Sequence, residues 1–198
     1  YLIHGIWMGY KWTEPKNWYN RIFVNFNTNI STLSKKIDPV DKMYQAARLN
    51  FNLNIQSKKL WWIGAHTDYN FRENDFYEPR VEGWYFKRGA SIGAGSWFES
   101  NQSKKYSFNA ELFTRTSLNF YNSFALDLSF NHNMRFNNKF SLSQRIGVEP
   151  RFNNIGYVYV DGSNDINFAK RKRNTIEHII SAKYSFSNKM GITFRARH

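Results

Sequence analysis

Residues 47–56 alternate without a break. Ala47, Leu49, Phe51, Leu53 and Ile55 fall on one side, and Arg48, Asn50, Asn52, Asn54 and Gln56 on the other. Successive side chains of a pleated strand point to opposite faces, so a period of two marks a strand with one apolar and one polar face. A helix would scatter the same apolar residues around its circumference. The rhythm recurs. Ile22, Val24, Phe26, Thr28 and Ile30 oppose Arg21, Phe23, Asn25, Asn27 and Asn29. Trp61, Ile63, Ala65, Thr67, Tyr69 and Phe71 oppose Trp62, Gly64, His66, Asp68, Asn70 and Arg72. Further stretches with the same alternation start at Tyr106, Phe124, Phe140 and Met190.

Short polar turns punctuate these runs at Ser57-Lys58-Lys59, Ser103-Lys104-Lys105, Asn137-Asn138-Lys139 and Ser187-Asn188-Lys189. Between them lie longer connections, near 72–83, 116–123 and 151–174. Phe136 and Phe140 flank one turn and Phe186 and Met190 another, so the apolar parity carries across each hairpin. The pattern predicts ten strands, near 2–12, 18–31, 44–57, 60–72, 84–100, 105–116, 122–135, 139–151, 174–186 and 189–198. Long strands joined by short turns at one end and long loops at the other are the signature of outer-membrane barrels. The expected fold is therefore all-β, an antiparallel transmembrane β-barrel in the outer membrane of a Gram-negative bacterium. The whole chain, 1–198, reads as one barrel segment. With the short turns in the periplasm, the first strand runs inward and the last ends outside. The expectation is an internal piece of a larger barrel, without signal peptide or N-terminal domain. A soluble β-sandwich is the competing fold, but its strands run nearer ~5–6 residues.

Composition sharpens this picture. Aromatic residues make up 19% of the chain, yet mean hydropathy is −0.65, as expected where one face meets an apolar phase and the other water. No stretch approaches the ~18 apolar residues of a membrane helix. There is no cysteine, and none of His4, His66, His132, His178 and His198 has metal-ligand spacing. No cofactor motif and no nucleophile elbow is present, so no catalytic residue is assigned.

The net charge is +13. Charged residues at inward positions form a candidate lumen network: Arg48, Asp68, Arg72, Glu111, Arg115, Asp127, Arg145, Glu149, Glu177, Arg195 and Arg197. Both signs are interleaved, which favours structural ion pairs over a steering field. Pairing Ile55 with Trp61 places Arg48 opposite Asp68, an exchange worth on the order of 0.2–1 kcal/mol in a water-filled lumen. Glu78, Arg80, Glu82 and Trp84, with the run Lys170-Arg171-Lys172-Arg173, are candidates on external loops. There the basic run would meet lipopolysaccharide phosphates. Nucleic acid is not expected, because no basic helix or phosphate-binding loop accompanies the charge. Outer-membrane lipid, lipopolysaccharide and other outer-membrane proteins are the expected partners. Trp7, Trp12, Trp18, Trp61, Trp84 and Trp97 read as an interfacial aromatic girdle rather than a sugar-binding platform. Binding, transport or a subunit role in an envelope assembly is the expected function. An outer-membrane hydrolase with its site in the external loops is the alternative.

Three strings carry a family resemblance: Asp75-Phe76-Tyr77-Glu78-Pro79-Arg80-Val81-Glu82-Gly83, Gly147-Val148-Glu149-Pro150, and Arg173-Asn174-Thr175-Ile176-Glu177 with Lys189 to His198. They resemble a Bacteroidota barrel region of unknown function that usually follows a family-9-type carbohydrate-binding module. The resemblance spans roughly 60–198. It implies a large outer-membrane barrel continuing past His198, and any carbohydrate role comes from the resemblance alone.

Overall fold

The computed structural model describes residues 1–35, 43–118 and 121–198. Two residues of the expected 116–123 connection, 119 and 120, lie outside the described residues. The fold is all-β. The strands are β1 (Leu2–Trp12), β2 (Tyr19–Thr32), β3 (Tyr44–Ser57), β4 (Trp62–Asn70), β5 (Glu73–Asp75), β6 (Phe86–Arg88), β7 (Ser91–Glu99), β8 (Tyr106–Ser117), β9 (Phe124–Arg135), β10 (Phe140–Val160), β11 (Ile166–Ser185) and β12 (Gly191–Arg197). Ten of them pair in one antiparallel sheet, in the order β1-β2-β3-β4-β7-β8-β9-β10-β11-β12. This is a meander, and β5 and β6 make a separate small hairpin within the β4–β7 connection. The sheet is open, with β1 and β12 at its two ends and no closed barrel among the described residues.

Three expectations need correction. First, residues 151–174 are not a loop. β10 and β11 run on as a paired ribbon, with bulges between Arg151 and Asn154 and between Tyr157 and Tyr159, to a tight turn at 161–165. Lys170, Arg171, Lys172 and Arg173 therefore lie on β11. Pairing of β9 with β10 ends at Phe124–Phe152, so the ribbon overhangs its neighbour. Second, β3 and β4 pair two residues away from the expected register: Ile55 meets Ile63, and Arg48 meets Asn70 rather than Asp68. The turn takes in Leu60, which adopts a left-handed φ of 62°, and it closes where the Ser57 amide donates to the Trp61 carbonyl. The expected 84–100 strand also divides, because β6 turns away to pair with β5.

The register aligns the alternating residues into two continuous faces. Tyr10, Val24, Leu53, Ala65, Ser96, Leu112, Leu128 and Val148 form one row of the apolar face. Asn27, Asn50, Asp68, Gly93, Arg115, Ala125 and Arg151 form one row of the polar face. Burial is inverted with respect to a water-soluble sheet. Ile63, Ile92, Leu112, Leu128, Phe130 and Ile146 are between 39% and 51% exposed, whereas Asp68 of the polar face is 2% exposed. Only Tyr19, Leu33 and Ile155 are buried hydrophobic residues among those described.

Candidate functional site on the polar face

At its centre the polar face carries Asp68 on β4. Arg48 on β3 donates from Nη2 to Asp68 Oδ1 at 2.9 Å, reaching it diagonally across the shifted register. Arg115 on β8 donates from Nη2 to both carboxylate oxygens at 2.8 Å. Arg115 is two strands away and must pass over Gly93 on β7, which lies opposite both residues. A Cβ on Gly93 would stand 3.1 Å from each Asp68 oxygen and 2.8 Å from the Phe113 ring. Glycine here provides a gap through which one carboxylate joins three strands. The Asp68 side chain has no exposed surface, so it is held by hydrogen bonds to two guanidinium groups in place of water.

Below this triad, toward the short turns, aromatic rings lie along the same face. Trp97 leans from β7 over Gly64 of β4, and His66 leans from β4 over Gly95 of β7. His66 stacks on Phe113 at 5.3 Å with planes 16° apart. Trp62 stacks on Phe23 at 6.0 Å, and the Arg21 guanidinium lies 5.1 Å from the Trp62 ring. Trp97 thus belongs to the polar face and not to an interfacial girdle, and Trp7, opposite Asn27 on β1, shares that face.

Above the triad, the β5–β6 hairpin folds over the sheet. Arg88 binds three carboxylates, Glu73 at 3.2 Å, Asp75 at 2.8 Å and Glu78 at 3.2 Å. Glu78 Oε1 also accepts the Tyr157 amide of the ribbon at 2.9 Å. Arg80 sits 5.2 Å from the Tyr157 ring, and Phe86 contacts Phe168 at 4.6 Å. The hairpin is therefore latched to the β10–β11 ribbon, bridging from β4 to β10. Beneath it is a cleft of about 450 Å³ whose walls include Glu73, Phe86, Arg88, Arg115, Arg151 and Phe152. Burial pushes the Glu73 carboxyl above its usual range, against the pull of Arg88. Burial acts on Asp75 in the same sense, but the amides of Glu78 and Tyr77 and the Arg88 guanidinium outweigh it and hold it low.

The remaining network residues divide. Arg151 pairs with Asp127 and, at 3.5 Å, with Glu149. Glu177 pairs with Arg145 at 3.7 Å and with Arg197. Glu111 lines a smaller hollow of about 220 Å³ with Asp127, Arg145, Glu149 and Glu177. Arg195 is on the polar side of β12, exposed. Arg72 is not on a strand: β4 ends at Asn70, and Arg72 is exposed beyond it. Glu82 and Trp84 are exposed on the β5–β6 connection. Arg171 reaches Asn154 at 2.9 Å over Gly156, and Lys172 lies 5.2 Å from the Phe152 ring. Sequence parity did not single out Arg88, Arg151 or the inward aromatics. The glycines at 64, 93 and 95, on the polar side of two adjacent strands, were the available signal.

The family model of a domain of unknown function, DUF5916, matches residues 1–198. The chain belongs to the DUF5916 family. DUF5916 is described as a domain of unknown function. Neither the curated proteins nor the solved structures give this DUF5916 chain a match.

Proposed function

We propose that the chain is part of the wall of an outer-membrane β-barrel, with the apolar face toward lipid and the polar face lining a water-filled path that binds or carries a solute. The inverted burial carries this reading. A band of aliphatic and aromatic side chains runs across the paired strands, touching its own neighbours on the face but covered by no second layer among the described residues, while carboxylates and guanidinium groups pair on the other side. Contiguous exposed apolar area on this scale calls for a membrane or a partner to cover it. The strand lengths and the alternation of faces suit a bilayer. The short turns, four of them carrying Lys, belong in this reading to the periplasmic end, and the cap and ribbon to the outside. The ribbon's Lys170–Arg173 run then faces lipopolysaccharide phosphates. A Bacteroidota source and an association with a carbohydrate-binding module remain part of the proposal through the resemblance.

The test is a pair of adjacent substitutions. Leu128→Arg places a charge at mid-strand on the apolar face and should destabilise the protein in vesicles by ~2–4 kcal/mol. Ser129→Arg, on the polar face, should cost little. Urea unfolding in phospholipid vesicles measures both, and brominated acyl chains should quench tryptophan emission. Equal effects at both positions, with no quenching, would overturn the reading. One observation favours a hydrolase instead, the raised Glu73 carboxyl in a cleft. However, the nearest carboxylates share Arg88 with it, so none is free to act as its base.

A further inference from the structure

We propose that the polar face carries a binding track for a neutral oligosaccharide, whose sugar rings stack on Trp62, Trp97 and the His66–Phe113 pair. The proposal rests on the reading of this face as one that lines a solute path, and it names the solute.

Three of the rings occupy positions set by glycine. A Cβ on Gly64 would lie 2.0 Å from Trp97 Nε1, and one on Gly95 would lie 2.5 Å from His66 Cε1. A Cβ on Gly93 would meet the Phe113 ring at 2.8 Å. Among the described glycines only Gly83 has a positive φ, so backbone conformation does not demand glycine at 64, 93 or 95. Space does: each gap lets a ring fold down along the sheet rather than stand up from it. A ring lying along a wall offers its π face outward, whereas a standing ring offers its edge. Trp62, Trp97, His66 and Phe113 are all half-buried, and a guanidinium group lies over one side of two of the rings, Arg21 over Trp62 and Arg115 over Phe113, each at 5.1 Å. Trp62, Trp97 and His66 climb β4 and β7 two residues at a time, steps of about 6.6–6.8 Å, and Phe113 on β8 stands level with His66. The column leads from the short turns toward the Asp68 triad and the capped cleft.

The flanking charges select the ligand's chemistry. A cation on this track meets Arg21 near Trp62, and then Arg48 and Arg115. An anion meets Glu99 opposite Trp62 and Glu111 opposite Trp97. Amides of Asn52 and Asn54 lie opposite His66 and Gly64. Carboxylates accept from hydroxyls, guanidinium groups donate to them, amides do both, and the apolar C–H faces of a pyranose match a π face. Charges of both signs close together largely cancel at a distance and give a charged solute of either sign no net attraction, while their donors and acceptors serve a neutral one with many hydroxyls.

The experiment is isothermal titration calorimetry on the detergent-purified full chain with maltohexaose, cellohexaose and mannohexaose. At least one should bind, and more tightly than the charged hexamers of galacturonate or glucosamine. Trp62→Ala and Trp97→Ala should each weaken it about tenfold. Trp97→Phe should retain most of the affinity. Gly64→Ala should reproduce the Trp97→Ala loss although the indole is still present, because it tips the ring off the wall. Where an alanine variant fails to show the heat-modifiable gel migration of a folded barrel, Trp97→Phe and Gly64→Ala carry the comparison. No binding of any neutral hexasaccharide overturns the track, as does binding indifferent to Trp62→Ala, Trp97→Ala and Gly64→Ala. Lipid quenching without sugar binding leaves the barrel reading standing and removes the track. Sugar binding without lipid quenching does the reverse.

Discussion

Replacing Asp68 with Asn keeps the side chain's shape and leaves Arg48 and Arg115 facing each other without a counter-charge. The sequence suggested a water-exposed pair of small value. The structure instead gives Asp68 a side chain with no exposed surface and two arginine partners that are 44% and 34% exposed. Removing one member of a buried charge group costs more than a surface pair is worth. The part of each guanidinium still in solvent screens some of that cost. Asp68→Asn should therefore lower stability by about 1–3 kcal/mol, read from urea midpoints in vesicles. A second residue-scale test is Leu60, held at φ 62° in the β3–β4 turn and 46% exposed. A left-handed backbone disfavours a branched hydrocarbon side chain and tolerates Asn. Leu60→Asn should raise stability by about 0.5 kcal/mol in the same measurement. That turn also explains the register that alternation alone misplaced. The apolar Leu60 reads as the start of a strand, but it serves as a turn residue and shifts the pairing by two.

At the scale of elements, the strands of the ten-stranded sheet were legible because each has a clean apolar side. The ribbon was not. Asn153, Asn154, Gly156 and Gly162 look like loop residues, and the overhang is held by its own ladder of backbone hydrogen bonds, with no alternation to advertise it. The cap was invisible for a related reason: its hub, Arg88, gathers acids whose spacing in sequence has no period. The cap should respond to pH in two opposite ways. Asp75 is held below its ordinary 3.8, so the stability it contributes is complete above that value and is lost as pH falls through the depressed pKa. Glu73 is held above its ordinary 4.5, so its contribution is complete below that value and is lost as pH rises through the raised pKa. With regard to these two groups, the latch should be tightest between about pH 3.8 and 4.5. The chain has no cysteine, so nitroxides at Glu82→Cys and Ser163→Cys would report the cap-to-ribbon distance cleanly. The distance distribution should be narrowest in that window and broaden on both sides. Glu73→Gln should abolish the broadening at higher pH, and Asp75→Asn should abolish the change on acidification.

On the scale of the whole molecule, parity in the sequence sorted most of the charged and apolar residues onto their faces, because in a two-sided sheet the face is decided locally. Which charges meet is decided by register and by gaps such as Gly93, and neither has a signature in composition. The same two-sidedness governs how the chain can reach its shape. In water, a sheet that buries only Tyr19, Leu33 and Ile155 among its described hydrophobic residues gives the chain almost nothing to collapse around, and backbone ordering costs roughly 1–2 kcal/mol per residue. Dilution from urea into plain buffer should leave circular dichroism without the strand signal, or yield aggregate, while dilution into micelles should restore it. On the proposed reading, contact with an apolar phase then comes before strand pairing and not after it. If that order holds, the chain has no folded state of its own to wait in between synthesis and insertion, and its time in water is an interval during which it would have to be kept apart from its own copies.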